Sequence, residues 1–518
     1  MSIIGNESLA GASGQGGYTI ERSLRFRGAT NTPYMTRTFG SGGNRKTWTY
    51  SIWFKRGKLG SIQTFFTSTL GGAGVPQAAT TFNSNDTFNL SDYTGSAYTF
   101  NLTTSQVFRD PSAWYHIVFL CDTTNATSSD RVRLYINGSR VTAFSTASYP
   151  SQNADCAAWN NTYTHYIGHN NVQQLDGYLT ETNFIDGQAL DPSYFGETDT
   201  DTGAWIAKQY TGSYGTTGYY LNFSDNTSTT TLGYDQSSNS NNWTLNNFSL
   251  TAGSTYDSMQ DVPTLTSASA GNYATLNPLN LSGGTFTNGN LDWASPGTDG
   301  RFALSSISAT SLTKSYCEFT MGSKTGVYWG VGLMGNSNAF NPRLFYRSDG
   351  ATWIDGTQQG GSWASYTQGD VIGIAFDSST NQVSFYKNNS FQGTLTAATT
   401  GVNYYFGCAS DFGGGSMNYT ANFGQRPFTY TPPTGFKALN TYNLPDSTVK
   451  DGGDYFNTVL YTGNGSTQSI TGVGFQPDVV WIKGRSYAEW HALHTSLLGT
   501  GKPTVLVYPT QTAQSLQR

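Results

Sequence analysis

Apolar residues recur at every second position through much of this chain. In TWTYSIWFKR, residues 47–56, Trp48, Tyr50, Ile52 and Phe54 fall on one face of a strand. Similar short runs stand at 23–26, 63–68, 87–90 and 165–170, and no helical period competes over comparable length. One hairpin pattern occurs twice. The first copy is WYHIVFLCD (114–122), a polar tip, then RVRLYING ending at Gly138. The second is DVIGIAFD (370–377), SSTN, then QVSFYKNN ending at Asn389. Each apolar strand closes on an acid, Asp122 or Asp377, whose default role is to cap the turn that follows. Each second strand exits through Asn-Gly or Asn-Asn. The pattern predicts an all-β protein built from tandem sandwiches.

Composition narrows this picture. A length of 518 residues suits about three domains. Only 11% of residues are charged, against about 25% in an ordinary soluble domain. Aromatic residues make up 14%, which excludes a disordered chain. A net charge of −5 offers no basic stripe, so nucleic acid is not an expected partner. It offers no polybasic patch for a membrane either. No apolar run reaches the roughly 20 residues of a spanning helix, so membrane insertion is not expected. The start, MSIIGNESLAGASGQGG, lacks the basic and apolar regions of a secretion signal. Synthesis in a host cytoplasm and release with a particle reconcile that start with an adhesin-like composition. Cys121, Cys156, Cys317 and Cys408 have no metal spacing. They read as small buried hydrophobes, with a disulfide as the alternative.

The expected organisation is an anchoring arm (1–20), a first sandwich (21–197), a β-rich bridge (198–265), a second sandwich (266–427), and a linker with a partial β module (428–518). The first sandwich contains SLRFRGATNTPYMTRTF, TWTYSIWFKRG, WYHIVF, LYINGSRV and DGYLTETNFIDGQALDPSYFGE in that order. These motifs resemble the LamG, or concanavalin A-like, jelly roll, whose last strand leads into a helical exit. The second sandwich contains YCEFTMGSKTGVYWGVGLM, GDVIGIAFD, FYKNNS and ANFGQRPFTYTPPTGFKALN. It resembles a SPRY module, which shares that topology. The resemblance therefore implies tandem concanavalin A-like modules behind an extended arm. At 450–518 the tail resembles the start of a further β module that follows SPRY-like units in marine phage proteins.

Candidate chemistry is sparse. There is no HExxH, nucleophile elbow, P-loop or zinc signature. His491 and His494 have a spacing that would share a helical face, and otherwise read as surface residues near a chain end. Glu197, Asp199 and Asp201 alternate, as acids do in laminarinase-like glycosidases. Pro192, Gly196 and Gly203 around them favour a loop. A solvated turn is the default, a divalent-cation loop the first alternative, and a catalytic pair the second. LamG relatives hold calcium in loops, which makes calcium the one cofactor to consider. Trp353 and Trp363 flank a Gly-rich stretch and could stack on the apolar face of a sugar ring. The alternative is packing at the core or at a strand tip.

The two modules behind this arm resemble virion structural proteins of tailed phages, especially those infecting marine cyanobacteria. The resemblance implies a tail fibre or spike component, not an enzyme, located at the tail or particle surface. It implies attachment to other virion proteins through the arm, a homotrimer, and a host cell-surface glycan or receptor as ligand. A capsid decoration or head-fibre protein is the alternative. A polysaccharide depolymerase and a cellular adhesin are more distant ones.

Overall fold

The alternation becomes strands, and the strands pair into two sandwiches. The computed structural model describes residues 18–507 apart from 29–31, 73, 170–172, 280–282, 296, 298–299, 326–328, 336–342, 399–400, 411–415, 486–489 and 497–504. Of the expected arm, residues 1–17 lie outside the described residues. Among the described residues there are strands and short 3-10 turns but no α-helix. The exit expected to be helical is the 3-10 turn Pro192–Tyr194, capped by Asp191, which accepts from the Ser193 amide at 2.9 Å. Two units result: residues 1–199 with 204–447, and residues 200–203 with 448–518.

In the first sandwich, the hairpin sheet runs Ser139–Arg140, Val132–Ile136, Trp114–Asp122, Thr47–Arg56, Gly177–Asp186, Ser23–Phe26, Ser258–Met259. The opposing sheet runs Phe144–Ser148, Tyr98–Val107, Thr87–Tyr93, Gln77–Phe82, Gln63–Thr69, Thr164–Ile167, Tyr34–Thr38, Thr244–Asn246. Between them lie Trp48, Tyr50, Ile52 and Phe54, all fully buried, as the alternation predicts. Trp48 stacks on Trp159 at 4.6 Å between ring centroids. Three strands of the 198–265 stretch belong to this sandwich. Tyr219–Leu221 pairs with Gly177–Asp186, Thr244–Asn246 with Tyr34–Thr38, and Ser258–Met259 with Ser23–Phe26. Trp243 enters the same core. Local sequence could identify these strands but not their distant partners.

The second sandwich opposes a sheet centred on Lys314–Lys324 and Val371–Asp377 to one centred on Trp329–Gly335 and Tyr404–Ser410. The repeated hairpin recurs here in atomic detail. Asp122 Oδ1 accepts from the amide and hydroxyl of Thr124, and Asp377 Oδ1 accepts from those of Ser379. At the other end, Asn137 has φ +46 and Gly138 φ +77, while Asn388 and Asn389 have +47 and +69. Two successive residues with positive φ make the turn whose twist matches a hairpin. Asn137 Oδ1 accepts from the His116 amide at 2.8 Å, and Asn388 Oδ1 from the Val371 amide at 2.9 Å.

A buried polar seam joins the two sandwiches. Lys55 Nζ donates to Asp261 Oδ2 (2.8 Å), Asn272 Oδ1 (2.7 Å) and the Tyr273 carbonyl (3.0 Å). The Trp114 indole donates to the other oxygen of Asp261 at 3.1 Å. Asp176 accepts from the Gly289 and Asn288 amides at 2.6 and 3.0 Å. Burial pushes its pKa up to about 6, against the pull of those amides. Trp53 and Trp114 are buried against this seam with Tyr178 and Leu291, on the face of the hairpin sheet opposite Trp48.

Candidate functional site

An open cleft of about 220 Å³ lies where the edges of the two sheets of the first sandwich meet. The strand Val132–Ile136 builds one wall. Val132, Leu134 and Ile136 face the core, so Arg131, Arg133 and Tyr135 face outward. The short strand Ser139–Arg140 brings Arg140 to the rim, and Phe144–Ser148 brings Phe144 and, just beyond it, Tyr149. Both rings are half-buried, backed by the core but open on the cleft side.

The arginines here do different work. Arg131 is committed to the loop, donating to the carbonyls of Asn125, Ala126 and Pro150, each at 2.9 Å. Arg140 donates to Asp130 Oδ1 at 2.5 Å and to the Ser129 carbonyl at 3.0 Å, and stays exposed. Arg133 makes one long side-chain bond, to Tyr135 Oη at 3.5 Å; its Nε is buried without a partner among the described residues, which leaves the terminal nitrogens to face the cleft. A guanidinium carries five donors in a planar fork suited to a carboxylate. The cleft thus brings a largely uncommitted cation together with two aromatic rings, on a chain of net charge −5. The alternation in RVRLYI signals outward arginines, but which of them stays uncommitted depends on the loop that Arg131 clasps.

The residues singled out from sequence are placed elsewhere. Trp353 lies on Thr352–Ile354 opposite Phe345, packed with Phe302, Leu304 and Met334, with the Arg347 guanidinium 5.6 Å from its ring. Trp363 packs from the other side of that sheet, on Tyr346 (5.0 Å) and Phe385 (5.5 Å). Its ring lies so close to Gly393 that a Cβ there would come within 2.6 Å. The two indoles therefore do not form a joint stacking platform. Glu197 sits on a short strand, Gly196–Thr198, not in a loop, because that segment pairs with Trp205–Ala207. It forms an exposed ion pair with Lys208 at 3.3 Å. Asp199 and Asp201 follow in the turn, where the Asp199 amide donates to the Ala204 carbonyl at 2.8 Å. Among the described residues no three His, Cys, Asp or Glu side chains are grouped to hold a metal.

His491 and His494 lie on the strand His491–Thr495, not on a helix. Three positions apart on a strand, they point to opposite faces. All four cysteines are buried and reduced; Cys121 and Cys156 approach to 3.7 Å without a bond. Ser51 Oγ and His116 Nε2 lie 2.8 Å apart, fully buried. The Trp205 indole donates to His116 Nδ1 at 2.9 Å. The ring proton therefore sits on Nε2 and is donated toward Ser51, the reverse of a general base. Burial holds this imidazole neutral, with a pKa down at about 3.

Comparison with known proteins agrees with the architecture. Residues 29–193 match the family model of the Concanavalin A-like lectin/glucanases superfamily. Residues 451–517 match a domain of unknown function, DUF7483. Curated proteins gave no match. Among solved structures, the SPRY domain of human HERC1 is similar at 19% identity and a TM-score of 0.27, over 29% of this chain and 99% of that one. A heptameric SAP-like pentraxin from Limulus polyphemus is similar at 14% identity and a TM-score of 0.25, over 33% of this chain and 78% of its own. The fold is all-β, with a concanavalin A-like module at its start, as the sheets and the family match both indicate.

Proposed function

We propose that this chain binds a host-surface glycan through the cleft of its first sandwich, and that it binds without converting its ligand. The observation that carries the reading is the pairing of the uncommitted Arg133 with Arg140, Phe144 and Tyr149 on a concanavalin A-like module. Aromatic rings suit the apolar face of a pyranose. Two guanidiniums favour a sugar that carries a carboxylate, which accepts both donors of one fork. In this reading the chain serves as a fibre or spike component on the particle of a tailed phage, held by residues 1–20. The motif resemblance supports that setting. Weak binding at each copy would gain strength from repetition.

The test is titration of the full chain with oligosaccharides, uronate-containing and neutral. Arg133→Ala should weaken binding of the acidic sugar about tenfold, or about 1.4 kcal/mol, and leave a neutral sugar less affected. Tyr149→Ala should weaken both. Unchanged affinity in both variants, or no binding of any sugar by the parent chain, would defeat the proposal.

A further inference from the structure

The C-terminal unit lacks what the sandwiches have. Its sheet joins Val479–Ile482 to His491–Thr495 and then to Val505–Val507. All four residues of Val479–Ile482 are exposed, although every one is apolar. Alternation means that neither face of this strand is covered. The far edge of Val479–Ile482 is unpaired among the described residues. Before it, residues 457–477 form no strand, and among the described residues none of their backbone N–H groups donates to a backbone carbonyl; the Asn457 side chain alone reaches across, donating to the Gly472 and Val473 carbonyls at 3.2 and 3.0 Å. Just ahead of and within this stretch, Tyr455 is 71% exposed, Phe456 69% and Leu460 72%. A backbone with so many unpaired groups, dotted with bare apolar side chains, has little to offset its conformational entropy. Yet a family model recognises 451–517 as a domain.

We infer that this unit completes its fold against a second copy of this chain, by strand exchange between the open edge at Val479–Ile482 and the unpaired stretch 457–477. This goes beyond the glycan reading and does not depend on it. Three observations favour a second copy. One is that donor and acceptor are both present on one chain yet unpaired, so a symmetric exchange satisfies both at once. Another is charge: residues 455–477 contain no Asp, Glu, Lys or Arg, so identical segments meet without repulsion. The last is area. The rings of Tyr455, Phe456, Tyr461 and Trp481 together expose on the order of 500 Å². Adding Leu460 and Val479 brings the surface toward the roughly 800 Å² per partner of a standard interface. Exposed apolar surface of that size is rare on a monomer.

The experiment is sedimentation of the full chain across a concentration series, with hydrogen exchange on the same samples. The expected result is an oligomer whose amides in 457–477 are protected and lose protection on dilution. A paired variant, Leu460→Asp with Trp481→Asp, should sediment as a monomer while hydrogen-exchange protection in the strands of the two sandwiches stays unchanged. Glycan affinity per chain should also be unchanged, which separates this inference from the preceding one. A monomeric parent chain would overturn it and leave a different protein as the covering partner. So would an oligomer that survives the paired substitution, or one in which 457–477 exchanges freely.

Discussion

At the scale of single residues, Arg131 and Arg133 make the point. Both face outward from one strand, and the alternation around Val132, Leu134 and Ile136 makes that legible in the sequence. Arg131 closes on three carbonyls of its own hairpin tip, whereas Arg133 turns into the cleft. No local pattern separates them. Glu181 is a second case. It belongs to a motif of the first sandwich, but only the fold shows its φ of +50, its burial, and its bonds from the hydroxyls of Tyr220 (2.9 Å) and Tyr18 (3.1 Å). It stands where the register shifts between Thr180 and Asn183, a β-bulge. Burial raises its pKa from 4.5 to about 7, against the pull of the two tyrosines. The unfolded chain therefore releases this proton first, and the native state binds more protons between pH 4.5 and 7. Stability from this group is present at low pH and falls as pH rises through that window, by on the order of 3 kcal/mol. Glu181→Gln removes the titration, so its melting temperature should vary less over that window than the parent's. An equal slope in both would refute the assignment.

At the scale of elements, the two hairpins behave as one design. Asn137 and Asn388 each adopt positive φ and each accept from an amide near the start of the hairpin's first strand. Alanine at either site loses that acceptor and strains the turn, so Asn137→Ala and Asn388→Ala should each cost about 1–2 kcal/mol in urea denaturation. Replacing each by glycine should cost less, because glycine tolerates positive φ. The sequence made these turns legible because their chemistry is confined to two neighbouring residues. It was less informative for Trp353 and Trp363, close in sequence but packed on opposite faces of one sheet. For His491 and His494 the spacing alone decides nothing, because a short segment with two histidines fits a helix turn as readily as the strand it forms.

At the scale of the whole molecule, the two sandwiches form one unit, and the buried seam around Lys55 and Asp261 links them. Burial raises the Asp261 pKa even against Lys55, Trp114 and the Tyr273 amide, so this pair is held at a desolvation cost. Lys55→Ala leaves that carboxylate buried without its cation and should cost about 3–5 kcal/mol. Calorimetry should show one transition for both sandwiches in the parent and a broadened or divided one in the variant. A single sharp transition at an unchanged temperature would show that the seam contributes nothing.

The sequence by itself determined which residues lie on each face of a strand, where hairpins turn, and that the chain is all-β. These follow from period-two alternation and from turn residues, both of which act over a few positions. The tertiary structure alone decided that strands of 198–265 complete the first sandwich, that Trp53 and Trp114 are buried at a seam and not in a sandwich core, and that Arg133 is left to face a cleft. Those outcomes depend on pairing between residues far apart in the chain, and alternation marks a face without naming what will cover it.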